Sequence, residues 1–185
     1  MIDLNKLAAE IHEAAVAKGF WDVEDAKEKH LAKMISELGE VVQEDRCGRP
    51  LLYVDDIKVM CRITDPAMFD GRKPEGVAAE LADFAMMTID LCAYFDGRLP
   101  DVPIETWNEA EGVEEFFKDT EPYVLVDGLA AYLLAIMRTC NTEPFLQILD
   151  AIHTWLRVRG YDLWEIIRLK MEYNRSRPPL HGRKY

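Results

Sequence analysis

Between Gly76 and Cys92 the chain places Ala78, Leu81, Ala85, Thr88, Ile89 and Cys92 at helical spacing, which predicts a largely buried α-helix. A buried helix should not carry uncompensated carboxylates, because stripping water from an isolated charge is expensive. Yet Glu80 and Asp83 stand three residues apart on one face, beside the apolar stripe. Upstream, Leu31, Met34, Ile35, Leu38, Val41 and Val42 make the core stripe of a second helix, flanked by Glu37 and Glu40. Packed together, these two helices would enclose a strongly negative pocket. A hard divalent cation is the simplest group to fill it.

The rest of the chain reads as helices joined by short breaks. Ile2 to Gly19 predicts a first helix with Asp3 as its N-cap, and His12 reads as an ordinary helix residue, because position 16 is Val and no HExxH site forms. Phe20-Trp21 follows, either a hydrophobic plug on the core or a stacking surface for a flat ligand such as a nucleobase. The second helix spans about 28–46 and stops at Cys47-Gly48-Arg49-Pro50. Residues 50–75 read as a long connection with a short extended piece at Leu51–Val54, and Pro74-Glu75 as the opening of the buried helix. Residues 104–118 suggest a short acidic amphipathic helix. Thr120-Glu-Pro-Tyr123 and Thr142-Glu-Pro-Phe145 then repeat a start signal, a Thr able to cap with Glu and Pro in the first turn, and predict a hairpin of helices over about 124–140 and 145–159. Asp162 caps a last helix running to about Ser176. The expectation is a single all-α domain over residues 1–185.

The chain has 185 residues and a formal net charge of −12. With no basic stripe to displace counterions, nonspecific nucleic-acid binding is not expected. The four cysteines form no CxxC and suit reduced thiols, no apolar run reaches transmembrane length, and the N-terminus lacks a signal-peptide pattern. These features predict a cytoplasmic protein without membrane contact. The basic end from Lys170 through Asn174, Arg175 and Arg177 to His181 contrasts with the acidic remainder. It either complements a helix dipole or supplies cationic donors to phosphates near the acidic pocket.

Glu37-x-x-Glu40 followed by Glu80-x-x-Asp83 resembles the ExxE…ExxD signature of the all-α nucleoside triphosphate pyrophosphohydrolases, the MazG-like and dimeric dUTPase-like group. The block Lys73-Pro-Glu-Gly-Val-Ala-Ala-Glu80-Leu-Ala-Asp83 is similar to phage and bacterial MazG-like proteins, as are Gly160-Tyr-Asp-Leu163 and Lys170-Met-Glu-Tyr-Asn174-Arg-Ser-Arg-Pro178 with His181-Gly182. The similarity covers roughly residues 1–49, 73–95 and 160–185. It departs in the longer connection over 41–79 and in an inserted helical segment at about 97–159, where relatives pass almost directly from the third helix to the fourth.

What the resemblance implies is a MazG-like four-helix core carrying an inserted helical hairpin, and a hydrolase of (d)NTPs that releases (d)NMP and pyrophosphate. Glu37, Glu40, Glu80 and Asp83 would hold Mg2+, with Mn2+ as a substitute, and one of them would double as the base. Lys170, Asn174 and Arg177 would contact phosphates or sugar, with Lys33, one turn before Glu37, as a further phosphate candidate and Trp21 as a stacking candidate. Glu44 and Asp90 read as solvated or supporting groups. The resemblance also implies a homodimer or homotetramer of phage or bacterial origin, acting in the cytoplasm or in that of a phage's host. Two other classes fit the sequence less well. A ferritin-like di-iron bundle wants two Glu-x-x-His pairs, and only Asp150-x-x-His153 comes near. A non-catalytic helical module binding nucleotides or a protein would leave four carboxylates as an idle cluster of like charge.

Overall fold

The computed structural model describes residues 3–21, 27–54, 69, 71–94, 99, 112–139 and 143–179. Expectations for 56–62, for most of 104–118, and for Cys61, Trp107, Cys140, Thr142 and His181 lie outside the described residues. Within them the order is α1 (Leu4–Ala17), α2 (Lys27–Arg46), β1 (Tyr53–Val54), β2 (Pro74–Glu75), α3 (Val77–Tyr94), α4 (Val113–Lys118), α5 (Pro122–Thr139), α6 (Glu143–Arg157) and α7 (Leu163–Ser176). The all-α expectation holds, with one two-residue antiparallel ribbon added.

α3 is the central rod. Its apolar residues run around the whole circumference, so that Ala78, Leu81, Phe84, Ala85, Ile89 and Cys92 are all fully buried. Burying one such Leu, Ile or Phe contributes about 1.5–3 kcal/mol, so the rod needs neighbours on every side. It has them: α1, α2, α6 and α7 all pack on α3, and α5 packs on α2 and α6. The hairpin helices α5 and α6 are therefore part of the core, and Leu129, Leu133, Ile148 and Trp155 are buried in it. On α2, Leu31, Met34, Leu38 and Val41 are buried as expected, whereas Ile35 is 54% exposed. Ile35 follows Met34 by one position, about 100° around the helix, and falls outside the stripe.

The entry to α3 differs from the expected Pro74-Glu75 helix start. These two residues pair with Val54 and Tyr53 instead. The helix begins only after Gly76, whose φ of +101° is disallowed for most side chains. A Cβ there would stand 2.7 Å from the carbonyl oxygens of both Pro50 and Leu51. That close approach lets the Leu51 carbonyl accept from the Ala78 N–H at 2.8 Å, which satisfies one of the orphan donors of the first turn.

Other ends follow simpler chemistry. Asp3 accepts from the Lys6 N–H at 3.0 Å, and Asp162 accepts from Trp164 and Glu165, both as N-caps. Thr120 does not cap α5. Its hydroxyl donates back to the Phe116 carbonyl at 2.7 Å. Its own carbonyl accepts from the Trp155 indole at 2.8 Å and from Arg159 at 2.7 Å. Thr120 thereby ties α4 to α6 rather than starting α5. Among the described residues no helix is long and apolar enough to cross a membrane. Cys47, exposed, and Cys92, buried, form no disulfide.

Candidate active site

α2 and α3 present matching polar edges to the space between them. On α2, His30, Lys33, Glu37, Glu40 and Glu44 recur at spacings of three and four, so they share one face. On α3, Glu80, Asp83, Met87, Asp90 and Tyr94 do the same. The carboxylates gather at one end of this seam. Glu37, Glu40 and Glu80 each bring an oxygen within 4.8 Å of the others, and among the described residues they form the one such cluster able to hold a metal ion. Glu80 is only 3% exposed.

The electrostatics fit an unmet need for positive charge. Burial, followed by the negative charges of Asp83, Glu40 and Glu80, lifts Glu37 from its ordinary 4.5 to about 8. Burial likewise raises Glu80 to about 7 against the pull of Lys170. Oxygens of three carboxylates this close, two of them unwilling to ionise alone, are a donor set suited to a hard cation such as Mg2+.

Asp83 and Lys170 stand apart from that trio. The Lys170 ammonium lies 2.6 Å from Asp83 Oδ2 and donates to the Pro74 carbonyl at 3.3 Å. It is 2% exposed. Burial works to lower the Lys170 ammonium, but Asp83, then Glu80 and Glu37, outweigh it and raise it. Lys170 is thus an internal counter-ion of the acidic pocket that holds one Asp83 oxygen. Asn174 lies one turn further along α7 and Arg177 just past its end, and their side chains meet at 3.5 Å. There the Lys18 ammonium binds the Arg175 and Arg177 carbonyls, which ties the ends of α1 and α7 together.

The other end of the seam is aromatic. Trp21 stacks on His30 with centroids 3.5 Å apart and planes 15° from parallel, and on Tyr94 at 4.6 Å and 17°. Its indole N–H donates to Asp90 Oδ2 at 2.7 Å. His12 Nδ1 lies 2.6 Å from Asp90 Oδ1. Lys33 places its ammonium 4.4 Å over the Phe20 ring, and its charge acts on the Asp90 carboxyl.

His12, read from sequence as an ordinary helix residue, and Asp90, read as a solvated or supporting group, are therefore structural partners. His12 binds a carboxylate across the core, and Asp90 is 8% exposed rather than solvated. Burial raises the Asp90 carboxyl, although His12 and Trp21 hydrogen bonds oppose the rise. The spacing of Asp90, seven residues after Asp83 on the same face, is the sequence signal that marks it as a supporting group. Glu44 is also buried, held by Arg49 at 2.9 Å and by the Tyr53 hydroxyl at 3.0 Å. That network fastens the end of α2 to β1.

Comparison with protein-family models, with curated proteins and with solved structures finds no match for this chain.

Proposed function

We propose that the chain is a Mg2+-dependent nucleoside triphosphate pyrophosphohydrolase of the MazG-like kind, acting on (d)NTPs. One observation carries the reading: Glu37, Glu40 and Glu80 converge, from two different helices, to within 4.8 Å. Glu37, Glu40 and Glu80 would hold the metal, with the second oxygen of Asp83 on its border. Bound there, Mg2+ would neutralise phosphate charge and make a water more acidic.

The protein's own residues would supply the remaining needs. Lys170 keeps Asp83 fixed beside the cluster and limits the net negative charge that a polyphosphate must approach. A carboxylate of the cluster takes the proton of the attacking water. The new bond joins that oxygen to the α-phosphorus, and the bond from the α-phosphorus to the bridging oxygen breaks, so pyrophosphate leaves with the electron pair. Asn174, Arg177 and Lys73, whose ammonium pairs with Glu75 at 2.5 Å and pulls on Glu80, are the polar groups available for the phosphates and sugar. From Glu37 to His30 is seven residues of α-helix, about 10 Å. That separation suits a ligand with phosphates at one end and a flat ring at the other. A homodimer or homotetramer accompanies this reading, for which exposed Tyr123, Leu134 and Met137 on α5 offer apolar surface.

The test is a panel of natural NTPs and dNTPs with Mg2+, products resolved by chromatography, beside a Glu80→Ala control. Monophosphate plus pyrophosphate, lost in the control, supports the proposal. Diphosphate plus orthophosphate would place the cut at another bond and defeat the mechanism. Metal-dependent nucleotide binding with no turnover would favour the non-catalytic binding module.

A further inference from the structure

α5 carries little charge for a helix of an acidic chain: among its 18 residues only Asp127 and Arg138 are charged. One side of it belongs to the core, with Leu125, Leu129, Leu133 and Ile136 buried. At about 100° per residue, Tyr123, Val124, Asp127, Ala131, Leu134 and Arg138 share an arc about 100° wide on the opposite side. All six are exposed, Tyr123 by 60% and Leu134 by 50%. A helix face turned away from the core is normally polar, because its side chains stay in water. α1 and α7 follow that rule, with Lys6, Glu10, Arg168 and Glu172 exposed. The outer face of α5 does not. Among the described residues neither Asp127 nor Arg138 forms an ion pair, so this face is apolar with one charge of each sign toward its two ends.

We propose that this face is a two-fold contact with a second copy of the chain, in which the two α5 helices lie antiparallel. A two-fold contact is self-complementary: where one residue meets another, the second meets the first in return. Asp127 and Arg138 stand about 16 Å apart along the helix, and the point halfway between them falls between Ala131 and Leu134. Turning a second α5 about that point sets Asp127 level with Arg138 of the second copy, once at each end. It also sets Leu134 level with Ala131, and Met137 level with Gly128, a large side chain against a small residue each time. A Cβ added at Gly128 would meet nothing within 4 Å, so the space is open. A parallel pair would instead bring Asp127 beside Asp127, and like charges repel. Charge and size therefore select the same register.

The inference rests on the reading above only in giving its homo-oligomer a surface, one that lies in the segment where the sequence departs from MazG-like proteins. Mass and hydrolysis are measured separately, so either can fail alone. Two packed helices bury less than a standard interface, so the expected dissociation constant is about 1–100 μM. Sedimentation velocity of the full chain without nucleotide, across that concentration range, should show a monomer–dimer equilibrium. Leu134→Glu places two like charges at the centre of the contact and should weaken association at least about tenfold. Asp127→Arg and Arg138→Asp should each weaken it about tenfold. The double variant, which exchanges the two charges, should return to within about threefold of wild type. Melts check that each variant is folded, and if Leu134→Glu is not, the charge exchange decides.

A wild type that stays monomeric throughout would overturn the proposal. So would association unmoved by Leu134→Glu, which would place the contact on another surface. Single charge reversals that the double variant fails to rescue would defeat the antiparallel register and the proposal with it. A tetramer that Leu134→Glu reduces to a dimer would support it, α5 then being one of two contacts. A dimer that responds as expected but hydrolyses no nucleotide would support this inference and defeat the hydrolase reading.

Discussion

Replacing Glu37 by Gln should stabilise the metal-free protein, and the gain should depend on pH in a defined window. The substitution keeps the shape of the protonated side chain but cannot acquire a charge. A carboxyl raised in the folded state from 4.5 to about 8 binds more protons folded than unfolded between those two values. Wild-type stability is therefore fully present below about pH 4.5 and declines as pH rises toward about 8. At about 1.4 kcal/mol per pH unit, the whole shift corresponds to about 5 kcal/mol. Part of it belongs to Asp83, Glu40 and Glu80, which share the repulsion, and water reaches the half-buried carboxyl, so about 2 kcal/mol is the expected gain at pH 9. For a chain of this size that is a rise of about 4–8 °C in Tm. Circular-dichroism melts in EDTA at pH 5 and pH 9 should show a small difference at the lower pH and the full difference at the higher. Mg2+ at pH 8 should then stabilise the wild type and leave the variant nearly unmoved. A gap that is constant with pH, or that shrinks as pH rises, would refute the electrostatic account of the pocket.

Lys170→Met should destabilise the protein by about 3–5 kcal/mol in thermal melts, because it leaves the partner carboxylate uncompensated, and adding Asp83→Asn should restore much of the loss; additive effects would contradict the pairing. Gly76→Ala should cost about 3 kcal/mol or more, since the φ of +101° and two carbonyls 2.7 Å from the new methyl act together. A Tm within 2 °C of wild type would disprove that close approach. Arg159→Ala should cost about 2 kcal/mol, because the guanidinium donates to the Phe117, Trp155 and Thr120 carbonyls and lies 3.7 Å over the Trp155 ring. Proteolysis near residues 112–121 should accelerate with it, and an unchanged cleavage rate would show that α4 is held by other contacts.

Much of this molecule was legible in its residues taken in order. The apolar stripe of α3, with Ala78, Leu81, Ala85, Thr88, Ile89 and Cys92 at helical spacing, determined that the helix would be largely buried, because such a stripe must be covered. Asp3 and Asp162 determined where two helices begin, since an N-cap acts on donors only two or three residues away. Glu37, Glu40, Glu80 and Asp83 were visible as two acidic pairs for the same reason, each pair lying within one helical turn. All of that information is local. Tertiary structure decided what depends on residues far apart in the chain. Pro74-Glu75 forms a strand rather than a first turn because Tyr53 and Val54 offer a ladder to it. The Thr120 hydroxyl turns back to the Phe116 carbonyl, while Trp155 and Arg159, more than thirty residues later, hold the Thr120 carbonyl and fasten this turn to α6. His12 and Asp90, 78 residues apart, become partners only when α1 lies against α3. Lys170 and Asp83 likewise meet only when α7 closes over the acidic end. Spacing along the chain can place a charge on a helix face, but its partner is chosen by which helix packs there.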